Sequence, residues 1–220
     1  MFRIKICGIT NLSDALIAAR AGADAVGLNF FNKSRRFVKP EFAREIVSAM
    51  PADVLKVGVF VNHDAEQIAT IANNVGLDCV QLHGDEHPEL LSQLPSDVRI
   101  IRAHRCGPGG LTVLAKFLDE CRTAGRSPDA VLLDADAGAE FGGTGQVADW
   151  ARINSERDLL VGLPLILAGG LTPENVAAGI AAVRPSGVDV ASGVEREPGC
   201  KDPDRVTEFT AAANQAFARL

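Results

Sequence analysis

Aromatic side chains are few in this chain of 220 residues, and acidic side chains outnumber basic ones. It has no tyrosine and one tryptophan, and its formal net charge at pH 7 is −6. Proteins that bind single-stranded nucleic acid use aromatic stacking surfaces, and proteins that bind a phosphate backbone use a basic surface. The composition offers little of either, so we exclude nucleic acid as a partner.

A membrane-spanning segment is also missing. The longest strongly apolar run without a charge, residues 159–171, is interrupted by glycine and proline. It is shorter than the roughly 20 residues that a bilayer span requires. Arg3 and Lys5 lie near the amino terminus without the apolar stretch of a secretory signal. We therefore expect a cytoplasmic protein with no membrane partner.

The cysteines do not form a recognisable disulfide or zinc pattern. They are odd in number, widely spaced and without a Cys-x-x-Cys pair: Cys7, Cys79, Cys106, Cys121 and Cys200. The thiols are expected to be reduced, and no metal site is predicted. All but Cys7 are interpreted as structural or incidental.

Apolar strand-like segments alternate with helical patterns along the whole chain. Strands are predicted at 3–7, 24–29, 54–61, 78–83, 98–103, 129–134, 164–168 and 187–191. Helices are predicted at 11–21, 40–50, 64–75, 86–94, 109–124, 146–157, 173–183 and 203–219, with Pro40 and Pro173 in first turns. This alternation predicts an α/β fold, a single-domain (βα)8 TIM barrel over residues 1–220. A doubly wound sheet is the alternative, but no Gly-x-Gly-x-x-Gly follows the first strand.

Three even-numbered strands begin with an aspartate after a short turn. These are Asp24, Asp78 and Asp129. The amino-terminal face of such a barrel generally serves stability, so these carboxylates are predicted to be structural. Five residues further on stand Asn29, His83 and Asp134. They are predicted to lie at the carboxyl ends of the strands, where barrel enzymes keep their chemistry.

Cys7 and Asp134 suit acid–base chemistry. A thiolate is a stronger base than a carboxylate by about four pKa units, and burial at the end of an apolar strand favours a carboxyl group that donates a proton. Each residue also has an alternative, structural role. A free cysteine often fills space in the hydrophobic core, and an aspartate often caps a helix or forms a salt bridge. Because both strands end at one face, we predict that Cys7 acts as a base toward carbon, without a covalent adduct, and that Asp134 acts as the acid.

Small residues follow the seventh and eighth strands. Gly169 and Gly170 follow one, and Ser192 and Gly193 follow the other. Glycine lets backbone N–H groups approach an anion, and barrels often hold phosphate between these two loops. One such loop alone is more often a tight turn, but two in these positions favour a phosphate site. The predicted partner is a small phosphorylated substrate.

Several further residues are predicted to contact the substrate. Arg36 is suited to a bidentate grip on a carboxylate, and His83 and Asp189 to hydrogen bonds. The glycine-rich segment 135–145, which includes Gly142 and Gly143, is predicted to close over the substrate. Asp136 in that segment is a weaker acid candidate than Asp134.

Ordered motifs over nearly the whole chain resemble the phosphoribosylanthranilate isomerase family of tryptophan biosynthesis. They are Lys5–Thr10, Gly22–Gly27, Lys33–Arg36, Val57–Asn62, Val80–Gly84, Leu132–Asp134, Phe141–Gly145, Ala168–Leu171 and Asp189–Glu195. The resemblance implies that Cys7 is the base, that Asp134 is the acid and that Arg36 faces the anthranilate. It implies an Amadori rearrangement of N-(5-phosphoribosyl)anthranilate to 1-(2-carboxyphenylamino)-1-deoxyribulose 5-phosphate, without cofactor or metal.

Two alternatives remain open at this stage. The related sugar-phosphate isomerase of histidine biosynthesis resembles this barrel but has a carboxylate in place of Cys7. A non-catalytic barrel that binds a phosphorylated ligand is the other, and it would bind without conversion. The sequence does not distinguish a monomer from a homodimer.

Overall fold

Eight parallel strands in the described part of the chain close into a barrel, with β8 hydrogen-bonded to β1. The computed structural model describes residues 1–107, 109–134 and 150–220. The strands are β1 Ile4–Cys7, β2 Ala25–Asn29, β3 Leu55–Phe60, β4 Cys79–Leu82, β5 Arg99–Arg105, β6 Ala130–Asp134, β7 Leu165–Ala168 and β8 Gly187–Val190. The predicted (βα)8 barrel is confirmed, with strand ends within two residues of those expected.

A helix follows each barrel strand. The helices are α1 Leu12–Arg20, α2 Pro40–Ser48, α3 Ala65–Val75, α4 Glu89–Gln93, α5 Thr112–Thr123, α6 Trp150–Ser155, α7 Val176–Val183 and α8 Pro203–Phe217. Local sequence explains several of the starts: Asn11 accepts the N–H of Asp14, and Asp64 and Gln67 form a capping box. None of the described helices is long and apolar enough to cross a membrane.

Helix α7 begins later than predicted. Pro173 does not start the helix but lies in a turn before Val176. Asn175 holds this turn, because its side chain accepts the N–H of Thr172 at 2.8 Å and donates to the carbonyl of Gly170 at 2.9 Å. These local side-chain hydrogen bonds compete with the helix, as is usual for asparagine.

The strands separate two buried regions. Ile4 and Ile6 on β1 face the helices, where they join the larger hydrophobic core. Residues between them in the strand face the barrel interior, as strand alternation requires. The interior is apolar over much of its length, for example at Val57, Leu132 and Ile166. It is polar at Lys5, Gln81 and Asp189, which are all buried.

The three aspartates at the strand entrances have the structural role that was predicted for them. Each accepts a backbone N–H from the strand that precedes its own. Asp24 accepts those of Arg3 and Ile4 at 2.9 and 2.8 Å. Asp78 and Asp129 accept one each, from Lys56 at 2.8 Å and Ile100 at 2.7 Å. These bonds join neighbouring strands where their ladders begin.

A short antiparallel hairpin after β8 was not expected from the sequence. Its strands are β9 Glu195–Glu197 and β10 Cys200–Lys201, joined through Gly199 at φ 85°. Strands of two and three residues are too short to show an alternation of apolar and polar residues in the sequence. The hairpin matters because it brings Glu195 and Lys201 to the mouth of the barrel.

Replacing Asp24 by alanine is expected to lower the free energy of unfolding by about 1–2 kcal/mol, because a part-buried N–H loses its acceptor. Turnover by the folded variant is expected to stay unchanged, because Asp24 lies at the opposite end of the barrel from Cys7. Urea unfolding provides the measurement. Asp53→Ala, at an exposed position, is the control and is expected to change stability by less than about 0.5 kcal/mol. Equal effects of the two substitutions would contradict this role of Asp24.

Candidate active site

A cavity of about 120 Å³ opens at the carboxyl ends of the strands. Its lining comes from the ends of seven of the barrel strands and the loops after them. The polar and glycine residues of the lining are Cys7, Gly8, Asn29, Ser34, Arg36, Gln81, His83, Asp134, Gly169, Gly170, Asp189 and Ser192. Most of the residues predicted from the sequence therefore share one pocket.

Cys7 closes β1 on one side of this pocket. Its thiol lies where a side chain on Gly27 would be, since a Cβ there would be 2.6 Å from Sγ and 3.1 Å from Cε of Lys5. Glycine on the neighbouring strand thus provides the space for both side chains. Burial raises the pKa of the Cys7 thiol, with a contribution from Asp189, whereas Lys5 and Lys201 oppose the increase.

Lys5 lies beneath Cys7 and has no solvent exposure. Its Nζ donates to Asp189 Oδ1 at 2.8 Å and to Gln81 Oε1 at 3.1 Å. Burial alone would lower the pKa of Lys5, but the charges of Asp189 and Cys7 outweigh it and raise the pKa to about 12. Sequence reasoning missed Lys5 and Gln81, although a polar residue at an inward position of an apolar strand is a usable signal.

Gln81 connects Lys5 to the opposite side of the pocket. Its Oε1 accepts from an ammonium group, which has no acceptor to offer, so its Nε2 is the atom that faces His83 Nδ1 at 2.9 Å. Nδ1 therefore accepts and Nε2 of His83 carries the proton. That nitrogen is 3.6 Å from Oδ2 of Asp134, which closes β6 and is buried.

Arg36 spans the mouth of the pocket above Gly8. A Cβ on Gly8, which has φ 76°, would collide with Cδ of Arg36. Nε and Nη2 of Arg36 donate to the two carboxylate oxygens of Glu195 at 2.8 and 2.6 Å. Lys201 donates to the same carboxylate at 2.8 Å. Burial opposes the charge on Glu195, but these two cations outweigh it and lower the pKa of Glu195.

The loops after β7 and β8 meet at the pocket. Gly169 and Gly170 both have positive φ, 82° and 63°. A Cβ on Gly193 would collide with the carbonyl of Leu171, so the two loops pack backbone to backbone. Arg205 braces the second loop by donating to the Gly193 carbonyl at 2.9 Å. Gly193 lines an adjoining groove, whereas Ser192 lines the pocket itself.

Gly142, Gly143 and Asp136 lie outside the described residues. Their assignment to substrate contact or acid chemistry stays a prediction from the sequence. Within residues 1–107, 109–134 and 150–220, no group of three or more His, Cys, Asp or Glu side chains is arranged to hold a metal ion.

A closed (βα)8 barrel with titratable side chains and glycine loops at the carboxyl ends of its strands has the architecture of a (βα)8-barrel enzyme. A family model described as N-(5'-phosphoribosyl)anthranilate (PRA) isomerase matches residues 4–212. The chain belongs to this family. This confirms the resemblance that the sequence motifs indicated. The two alternatives, the histidine-pathway isomerase and a non-catalytic barrel, are not supported by this family match.

Relatives and solved structures agree with this assignment. An N-(5'-phosphoribosyl)anthranilate isomerase of Syntrophus aciditrophicus (strain SB) is 43% identical over 98% of this chain and 88% of its own length. The crystal structure of phosphoribosyl anthranilate isomerase from Thermotoga maritima is similar with a TM-score of 0.86 at 40% identity, covering 98% of this chain and 100% of that one. Another such isomerase, in complex with reduced 1-(o-carboxyphenylamino)-1-deoxyribulose 5-phosphate, has a TM-score of 0.83 at 40% identity and the same coverage.

Glu195→Gln is expected to destabilise the fold by about 1–3 kcal/mol at neutral pH, because Arg36 and Lys201 lose their shared anion. Since the pKa of Glu195 is lower in the folded state, its contribution is complete above the unfolded pKa of about 4.3 and is lost as pH falls through the folded pKa. Urea unfolding of both proteins between pH 7 and 3.5 measures the difference. A difference that stays constant over this range would contradict the ionised role of Glu195.

Proposed function

We propose that this chain isomerises N-(5'-phosphoribosyl)anthranilate by general acid–base catalysis, with Cys7 as base and Asp134 as acid. The observation that carries the proposal is that these two side chains face one pocket, whose third side is the paired glycine loops after β7 and β8. The related isomerase that binds a reduced product provides further support. Residues 1–220 then form one catalytic domain, which acts in the cytoplasm on a small phosphorylated substrate.

The first step belongs to Asp134. Its carboxyl group donates a proton to the ring oxygen of the ribose, and the C1–O bond breaks as the amine nitrogen forms a C1=N bond. The product of this step is an open-chain protonated Schiff base, and Asp134 is left as a carboxylate. His83 Nε2 lies 3.6 Å from Oδ2 of Asp134, so we assign His83 to orient this carboxyl group.

The second step belongs to Cys7. Its thiolate removes the proton from C2, and the electrons of that C–H bond form a C1=C2 double bond while the C=N electrons return to nitrogen. The resulting enolamine becomes the ketone when C1 gains a proton and the C2 hydroxyl loses one. No net oxidation occurs, so the sequence of steps needs no redox cofactor, and no covalent bond to sulfur forms.

The two ends of the substrate require different contacts. Backbone N–H groups near Gly169, Gly170, Ser192 and Gly193 are assigned to the phosphate, because glycine permits close approach of an anion. Glu195 already occupies Nε and Nη2 of Arg36, so Nη1 is assigned to the anthranilate carboxylate. Asp189 is assigned mainly to Lys5, which it contacts, and its carboxylate also lines the pocket.

Cys7→Ala and Asp134→Asn are each expected to lower kcat by about 10²–10⁴-fold with a smaller change in KM, because each removes a proton-transfer group. Steady-state turnover of phosphoribosylanthranilate, followed by the fluorescence of its anthranilate ring, is the measurement. Cys200→Ser, which changes a thiol outside the pocket lining, is the matched control and is expected to keep wild-type turnover. Near-normal turnover in either site variant, or a trapped thioether during turnover, would refute these roles.

Gly193→Ala is expected to raise KM at least about tenfold, because the new Cβ forces the loop after β8 away from the Leu171 carbonyl. Gly107→Ala is the control, since a Cβ there meets nothing within 4 Å. Inorganic phosphate is expected to inhibit the wild type competitively and to inhibit the Gly193→Ala variant less. Unchanged inhibition in that variant would remove the phosphate site from this loop.

A further inference from the structure

The burial of Cys7 opposes the ionisation that its proposed role as a base requires. A thiol in a buried pocket resists ionisation, and burial does raise the pKa of Cys7. Only the thiolate removes a proton from carbon at a useful rate, because the neutral thiol is a very weak base. Something in the pocket must therefore stabilise the anion.

Four charged groups act on Cys7, and a fifth forms ion pairs with two of them. Lys5, Asp189 and Lys201 act on the thiol directly, and Arg36 interacts with it from the mouth of the pocket. Glu195 joins Arg36 and Lys201. This cluster contains three cations and two carboxylates.

Two further carboxylates lie near the cluster. Asp14 on α1 accepts the backbone N–H of Lys201 at 2.8 Å, and Asp134 faces the pocket from the opposite side beside His83. With these two, the surroundings of Cys7 hold three cations and four carboxyl groups, so an excess of positive charge does not explain a thiolate there. In a site largely withdrawn from water, the cation nearest to the sulfur has the largest effect on the thiolate.

Lys5 is the cation best placed to stabilise a thiolate on Cys7. It stands two residues before Cys7 on β1, so both side chains point into the barrel. Cys7 Sγ and Lys5 Cε lie side by side over Gly27, where an added Cβ would be 2.6 and 3.1 Å from them, and the charge of Lys5 lowers the pKa of the thiol. Asp189 and Gln81 hold Nζ from two other strands, so the group has no freedom to turn away. Lys201 is instead committed to Glu195 and to the Ala191 carbonyl.

We propose that Lys5 is a positioning residue whose fixed, buried ammonium group makes the Cys7 thiolate easier to form for proton abstraction. This inference rests on the proposed role of Cys7 as the base. It gives the polar contacts beneath the pocket a function in the reaction, although Lys5 itself does not touch the substrate. The acid side of the pocket is connected to the same ammonium group through Gln81 and His83.

The test measures thiolate formation at Cys7 apart from turnover. Alkylation of Cys7 by iodoacetamide is followed by peptide mass spectrometry as a function of pH in the wild type and in Lys5→Met. The midpoint in Lys5→Met is expected to move up by at least about one pH unit, which means about tenfold slower alkylation at neutral pH. The rising limb of kcat/KM against pH is expected to move by the same amount.

Lys116→Met is the matched control, because it removes the same charge from an exposed position on α5. It is expected to leave the alkylation midpoint unchanged. Asp189→Asn is expected to move the midpoint in the opposite direction, downward, because it removes a negative charge that acts on the thiol. Opposite shifts from two partners in one ion pair are not explained by general loosening of the fold.

An unchanged midpoint in folded Lys5→Met would overturn the inference. If Lys5→Met does not fold, Lys5→Gln decides, because it keeps a hydrogen-bond donor for Asp189 but removes the charge: an upward shift supports the inference, and no shift or a downward shift overturns it. Failure of the proposed function looks different, because Cys7→Ala would then keep its turnover. The alkylation midpoints report on Lys5 whatever the result with Cys7→Ala.

Discussion

A fully buried ammonium group inside a closed barrel is the constraint on which the site depends. Removing the charge of Lys5 from water is costly unless anions and hydrogen-bond acceptors surround it. The surrounding strands supply them: Asp189 from β8 and Gln81 from β4. Cys7, on the same strand as Lys5, lies beside it over Gly27. The buried cation therefore explains why Gln81 and Asp189 are polar in an otherwise largely apolar barrel interior.

The same ion network connects the two halves of the proposed chemistry. Gln81 donates from its Nε2 to His83 Nδ1, and Nε2 of His83 lies 3.6 Å from Oδ2 of Asp134. Above Cys7, the hairpin of β9 and β10 adds a second set of charges around Glu195. Side chains that are held this firmly lose little additional freedom when a substrate binds, which favours a preorganised site.

Much of the fold and part of the site were accessible from the sequence, for identifiable reasons. Strand and helix periodicity is local, so the order of eight units was predicted closely. Cys7 and Asp134 were predicted to share one face, and both line the pocket, because the carboxyl ends of barrel strands lie at the same end of the barrel. Pro173 was placed wrongly in a helix, since the side chain of Asn175 stabilises a turn instead. The hairpin that carries Glu195 was missed because its strands are too short to show a pattern.

The sequence by itself determined the element order, the small residues after the last two strands and the presence of a thiol and a carboxylate at strand ends. Only the tertiary structure decided the pairings among side chains. Lys5 meets Gln81 across 76 residues and Asp189 across 184, and Arg36 meets Glu195 across 159. Closure of the barrel and the register of its strands create these contacts. Spacing along the chain carries no information about them, because they form between strands rather than within one.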